Sequence, residues 1–149
     1  MKNNSEYILA ESFLHLLNVT DKLIKGSLGK ALHNSGFTIT PEQFSILVSL
    51  WSKNGQCQYE LATCQGKDRA SITRLVDGME KENLVVRIPS EKDRRIKLVY
   101  LTNKAKNLQN EILEVVKDAT EKAEMGISGN EIDITKNVLK KMIANLNNS

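Results

Sequence analysis

The stretch from residue 56 to residue 102 limits the fold more than any other part of this chain. Two helical patterns meet at a Gln65-Gly66 break and run on into two β-branched segments with almost no connecting chain. Gln58 to Cys64 puts Leu61 and Ala62 on one side, and Gly66 offers the left-handed backbone of a tight turn. From about Asp68, read as an N-cap, to Glu82, the residues Ile72, Leu75, Val76 and Met79 share one face, while Arg69, Ser71, Arg74, Asp77 and Lys81 fall largely elsewhere. The reading is helix, tight turn, helix. Residues 84 to 89 and 96 to 102 are β-branched, and the second segment alternates Lys97, Val99 and Leu101 against Leu98 and Tyr100. With the polar stretch Ser90 to Arg95 between them, they predict a hairpin with a charged tip.

Helical patterns lie on both sides. Residues 5 to 33 place Leu9, Phe13, Leu16, Leu17, Leu23, Ile24 and Leu28 at helical spacing, with a stop near Ser35-Gly36. Thr40-Pro41-Glu42-Gln43 is an N-terminal signature: a capping Thr, Pro at the first helical position and Gln three after the cap. Phe44, Leu47, Val48 and Trp51 are the expected buried face of that second helix. After Thr102-Asn103, a fifth helix carries Ala105, Leu108, Ile112, Val115, Val116, Ala119 and Ala123. Ser128 with Glu131 forms a capping box for a sixth, whose apolar residues are Val138, Leu139, Met142, Ile143 and Leu146.

The fold class is therefore mainly α with a small β-hairpin. A winged helix-turn-helix lobe at 37–102 (helix-turn-helix about 56–82, wing about 84–102) lies between helical arms at 1–36 and 103–149, all within one domain of 149 residues. The arms carry more apolar stripe than one lobe can cover, which predicts a homodimer with Ile112 and Val116 at its interface.

Composition removes several function classes. With 40% apolar and 26% charged residues the chain is an ordinary globular one, and it has no apolar run of about 18 to 20 residues and no signal-peptide core behind Met1 to Glu6. The expectation is a cytoplasmic protein with no membrane partner. His15 and His33, the only histidines, lie about 27 Å apart if they share one helix. No catalytic triad, phosphate-cradling glycine loop or metal spacing is present, so neither an enzyme nor a cofactor or metal is expected. Cys57 and Cys64 cannot make a disulfide framework; they read either as small semi-buried residues or as redox-sensing thiols. Cys57 falls at the N-cap of the third helix, where thiolates are favoured, and is too far along that helix from Cys64 for a bridge within one chain.

The remaining class is nucleic-acid binding. In a helix-turn-helix the second helix enters the major groove and its first turns meet base edges. Here those turns offer Lys67, Arg69, Ala70, Ser71, Thr73 and Arg74: Arg pairs with guanine, Ser and Thr bond either base, and Ala or a Thr methyl touches thymine. At the wing, Arg87, Lys92, Arg94, Arg95 and Lys97 face only Glu91 and Asp93. Asp93, Arg94, Arg95 and Lys97 are the candidate contacts, with Arg95 suited to the narrow minor groove and Asp93 able to direct it if the strand extends into the tip. Locally each segment reads equally as a solvated face or a charged turn that blunts a sheet edge. A protein-interaction module would carry acidic or apolar residues at these positions, where the chain has Arg69, Arg74, Arg94 and Arg95.

Leu61-Ala62, the run Arg69-Ala70-Ser71-Ile72-Thr73-Arg74-Leu75-Val76-Asp77, and Asp93-Arg94-Arg95 followed by Leu98 to Thr102 resemble the recognition helix and wing of the MarR family. The resemblance implies a ligand-responsive regulator, commonly a repressor, whose homodimer places two winged lobes on a pseudo-palindromic operator in double-stranded DNA. It also implies Arg95 in the minor groove with Asp93 as its support, and Ser71, Thr73 and Arg74 in the major groove. A small aromatic or phenolic effector would bind between lobe and dimer arms, and His15, Trp51, Tyr59 and Arg87 are the candidates for its pocket. The chain departs from the family before the first wing strand, where Asn83 replaces the usual glycine; Asn is the next most tolerant of a left-handed turn.

Overall fold

The computed structural model describes residues 9–149. Among them the elements run, after a 3-10 turn at Leu9–Glu11, as α1 (Phe13–Asn34), α2 (Pro41–Ser52), β1 (Gln56–Cys57), α3 (Gln58–Gln65), α4 (Arg69–Lys81), β2 (Val85–Pro89), β3 (Lys97–Leu101), α5 (Asn103–Asn107), α6 (Gln109–Ala123) and α7 (Gly129–Asn147). None of the described helices is long and apolar enough to cross a membrane.

The helix starts follow local chemistry. Thr40 Oγ1 accepts from the Gln43 N–H at 3.2 Å while Gln43 Oε1 accepts from the Thr40 N–H at 3.1 Å, closing the expected box at α2. Ser128 and Glu131 do the same at α7, at 3.2 and 2.8 Å. The expected first helix begins later than residue 5: Ser12 caps α1 by accepting the His15 N–H at 3.2 Å, and residues 5 to 8 lie outside those described. A serine just ahead of the helical pattern satisfies an orphan donor of the first turn and so sets the start.

Three further expectations change. The buried face of α2 is Ile46, Leu47 and Leu50; Phe44 and Trp51 are half-buried and meet edge to face at 6.2 Å, and Val48 is 45% exposed. This helix is apolar around much of its circumference, and contact with α3, α4 and β3 selects the stripe. The single fifth helix divides at Leu108, because Ala105 on α5 is buried beside β3 whereas α6 runs along α1. Ile112, expected at a dimer interface, is fully buried in the chain's own core, and Val116 packs against that core.

The predicted hairpin belongs to a three-stranded antiparallel sheet of order β1-β3-β2. Val85 to Pro89 pair with Leu101 to Lys97, and the missed strand β1 pairs Gln56 with Val99 and Cys57 with Leu98. Two glycines hold this frame. Gly55 turns with φ +79°, and a Cβ there would stand 2.6 Å from the Tyr100 ring. Gly66 closes α3 in the left-handed conformation at φ +60°, so the Lys67 N–H reaches the Ala62 carbonyl at 3.0 Å and α4 can start at once. Asn83 adopts φ +55° before β2, as its place in the sequence leads one to expect. The core beneath the helix-turn-helix is Leu47, Leu50, Leu61, Ile72, Val76, Met79 and Val99, all fully buried.

Candidate nucleic-acid interface

α4 presents its first turns outward. Asp68 caps it, its Oδ1 accepting the Ser71 N–H at 2.7 Å, and this bond is the main reason its carboxyl is held below the ordinary aspartate range. The acidic residue that would repel phosphate is thereby committed to the helix end. Arg69, Ala70 and Arg74 are exposed, Lys67 and Ser71 half-buried. Arg74 Nη2 donates to Ser71 Oγ at 3.3 Å, so the two side chains lie together on the outer face.

Thr73 is placed differently from the expectation. Its hydroxyl donates to the Arg69 carbonyl at 2.8 Å and accepts from Gln58 Nε2 at 2.7 Å. A hydroxyl engaged as both donor and acceptor has little left for a base edge, which leaves the methyl group as its outward chemistry.

The wing tip is a turn rather than an extension of the strands: the Ile96 N–H returns to the Asp93 carbonyl at 3.0 Å, and the Ser90 N–H bonds the Ile96 carbonyl at 2.8 Å. Within it Asp93 grips Arg95 at three points. Its Oδ1 accepts from Arg95 Nε and from the Arg95 backbone N–H, and its Oδ2 accepts from Nη2, each at 3.1 Å. The forked bond from the guanidinium is the larger cause, and the backbone N–H the second, of an Asp93 carboxyl held below its usual range. Arg95 is nevertheless 91% exposed against 35% for Asp93. The result is an outward guanidinium whose direction is fixed from one side. Arg94 and Lys97 are exposed beside it.

A cleft of about 350 Å³ joins the two surfaces, lined by Cys57, Gln58, Tyr59, Arg69, Arg95, Ile96 and Lys97. α4 and the wing tip thus share one groove that carries Arg69, Arg95 and Lys97. Sequence reading missed Gln58, which has no charge or period to mark it. Of the residues expected at an effector pocket, exposed Tyr59 lies in this groove, while His15 is exposed on α1 and Trp51 packs against the core from α2 with its Nε1 buried and without a partner among the described residues. Arg87, the fourth, faces α4 from β2 and bonds Asp77 and Glu80 at 2.8 and 2.6 Å. Cys57 is half-buried at the N-cap of α3 and Cys64 exposed, both free thiols.

Comparison with known proteins finds regulators of the same fold. The family model described as MarR family matches residues 39–97. The HTH-type transcriptional regulator MhqR of Bacillus subtilis is 26% identical over 119 residues, which are 80% of this chain and 81% of that one. The chain is also similar to the crystal structure of a MarR-family transcriptional regulator from Rhodococcus sp. RHA1, with TM-score 0.84, 26% identity and 93% and 96% of the two chains covered. CouR from Rhodococcus jostii RHA1, crystallised with p-coumaroyl-CoA, gives TM-score 0.81 and 25% identity over 93% and 96% of the chains.

Proposed function

Because this chain belongs to the MarR family of transcriptional regulators, we propose that it acts as a homodimeric, sequence-specific DNA-binding repressor released by a small aromatic effector. The observation that carries the DNA reading is the wing tip, where Asp93 fixes an outward Arg95 that shares a cleft with the exposed Arg69 of α4. In this reading α4 lies in the major groove, with Arg69, Ala70, Ser71 and Arg74 at base edges or phosphates, Thr73 presenting its methyl and Lys67 reaching the backbone. Arg95 enters the minor groove, and Arg94 and Lys97 meet phosphates. The second copy doubles the site, so the operator is pseudo-palindromic with half-sites about one helical turn apart.

The effector reading draws on CouR, whose crystal structure holds an aromatic acyl-CoA. Trp51 is the candidate that supports it here, since its buried Nε1 has no acceptor among the described residues. Genome-wide footprinting followed by shift assays tests the proposal. The expected result is a palindromic motif bound at least a thousandfold more tightly than random DNA. Equal affinity for both DNAs would overturn it.

A further inference from the structure

We propose that Arg87, acting with Gln58, is a positioning residue that locks the wing to the recognition helix, so that the two DNA-facing surfaces dock as one rigid body. The inference rests on the DNA-binding reading above. Arg87 projects from β2 and its side chain is only 15% exposed. Nη1 donates to Glu80 Oε1 at 2.6 Å, Nη2 to Asp77 Oδ1 at 2.8 Å and to the Thr73 carbonyl at 3.4 Å, and Nε to Gln58 Oε1 at 3.0 Å. Gln58 then spends its amide N–H on Thr73 Oγ1 at 2.7 Å. One guanidinium and one amide therefore tie β2 to α4 and to the first residue of α3.

This arrangement differs from a phosphate contact in two ways. Arg87 is mostly buried and faces two carboxylates, so its charge is already compensated, whereas Arg95 faces one carboxylate and is open to solvent. The planar fork also fixes direction: three of its nitrogens bond three different side chains on two other elements, which holds the hairpin at one angle to α4. The base of the wing also packs on the helices, since Val85, Val99 and Leu101 lie in one core with Leu61, Ile72 and Val76, but residues 90–97 at the tip have no buried side chain of their own. The outer turns of the hairpin depend on Arg87 for their aim.

Hydrogen exchange of the full-length protein without DNA, and shift assays across a salt series, test the lock. Gln58→Leu removes the neutral bridge without changing charge, and Arg87→Gln removes the fork. In both, amides 90–96 should exchange at least tenfold faster, and operator affinity should fall at least fivefold for Gln58→Leu and tenfold for Arg87→Gln. The slope of log K against log salt should stay unchanged, because no phosphate contact is lost. If Arg87→Gln does not fold, Gln58→Leu decides alone. Unchanged wing exchange overturns the inference, and so does a salt slope flattened by about two units per dimer in Arg87→Gln, which would make Arg87 a phosphate contact in each lobe. A parent protein that binds no DNA would instead overturn the reading beneath it, while the exchange measurement still reports on the lock.

Discussion

In the winged lobe Ile46, Leu47, Leu50, Leu61, Ile72, Val76 and Val99 are closed off from solvent inside a single chain, whereas in the helical arms Leu14 and Leu146 are each 74% exposed and α7 has no buried residue. The lobe completes its own core because helix-turn-helix and sheet wrap around α2. α1 and α6 pack on each other, yet α1 keeps Phe13, Leu16, Leu23 and Ile24 outward, and α7 keeps Ile134, Val138 and Ile143 outward. An apolar stripe of that length is the surface of an interface, and the proposed second copy supplies the same stripe in return. Lobe stability should therefore belong to one chain, and arm stability to the concentration of chains.

The most damaging way to break this contrast is to charge the arms. Leu14→Glu combined with Leu146→Glu should yield a monomer by sedimentation. Losing the second lobe should lower operator affinity by about 10² to 10⁴, the usual gain from linked binding modules. A double variant that still sediments as a dimer and binds as before would show that these two leucines are not part of the interface.

Next in size is a cavity in the lobe. Leu47→Ala, at a fully buried position, should cost about 2–5 kcal/mol. The comparison sharpens if denaturant melts are run over a range of protein concentrations. The parent midpoint should rise with concentration through the arms, and the Leu47→Ala decrement should be the same at every concentration. A decrement that grows on dilution would mean that the lobe core, too, depends on the partner.

The two regions also differ in how much of them could be read from residues alone. Caps and turns were legible because their chemistry spans three or four residues: Thr40 with Gln43, Ser128 with Glu131, Asp68 at α4 and Asn83 before the wing. β1 was hidden because two residues show no alternation, and the break at Leu108 because its cause is where α5 and α6 pack. In the candidate site, exposed cations on α4 and the wing were legible as residue types at spacings. The commitment of Thr73 to Gln58, 15 residues away, and of Arg87 to Gln58, 29 away, was not, since only the fold brings them together. The Asp93–Arg95 pair was anticipated, but on the idea of an extended tip; a turn makes the pair, with a backbone bond that an extended strand would not supply.

A smaller effect separates the two surfaces proposed to face DNA. Arg74→Ala, on the exposed face of α4, should weaken operator binding by about 1–3 kcal/mol while leaving low-salt binding to random DNA less affected, as expected for a base contact. Equal losses on both DNAs, measured by competition shift assays, would make Arg74 a phosphate contact and leave base reading to its neighbours on α4.

The smallest effects, and the most diagnostic, belong to the wing. Arg95→Ala should flatten log K against log salt by about two units, because it removes one cation from each lobe of the dimer, with the greatest loss on sites with A·T-rich flanks. Asp93→Ala removes a negative charge, which simple electrostatics says should help binding. Since Asp93 directs Arg95 through three bonds, it should weaken operator binding instead. The pH dependence has a definite sign. The Arg95 fork lowers the folded-state pKa of Asp93, so the pair is complete above the ordinary aspartate value of about 3.9 and is lost only as pH falls through the lowered one. Operator affinity between about pH 6 and 8 should therefore carry no contribution from Asp93 titration, and Asp93→Asn should be impaired throughout that range. An Asp93→Ala protein that binds operator as well as the parent would show that Arg95 aims itself, and the wing would then be a basic loop contributing charge without direction.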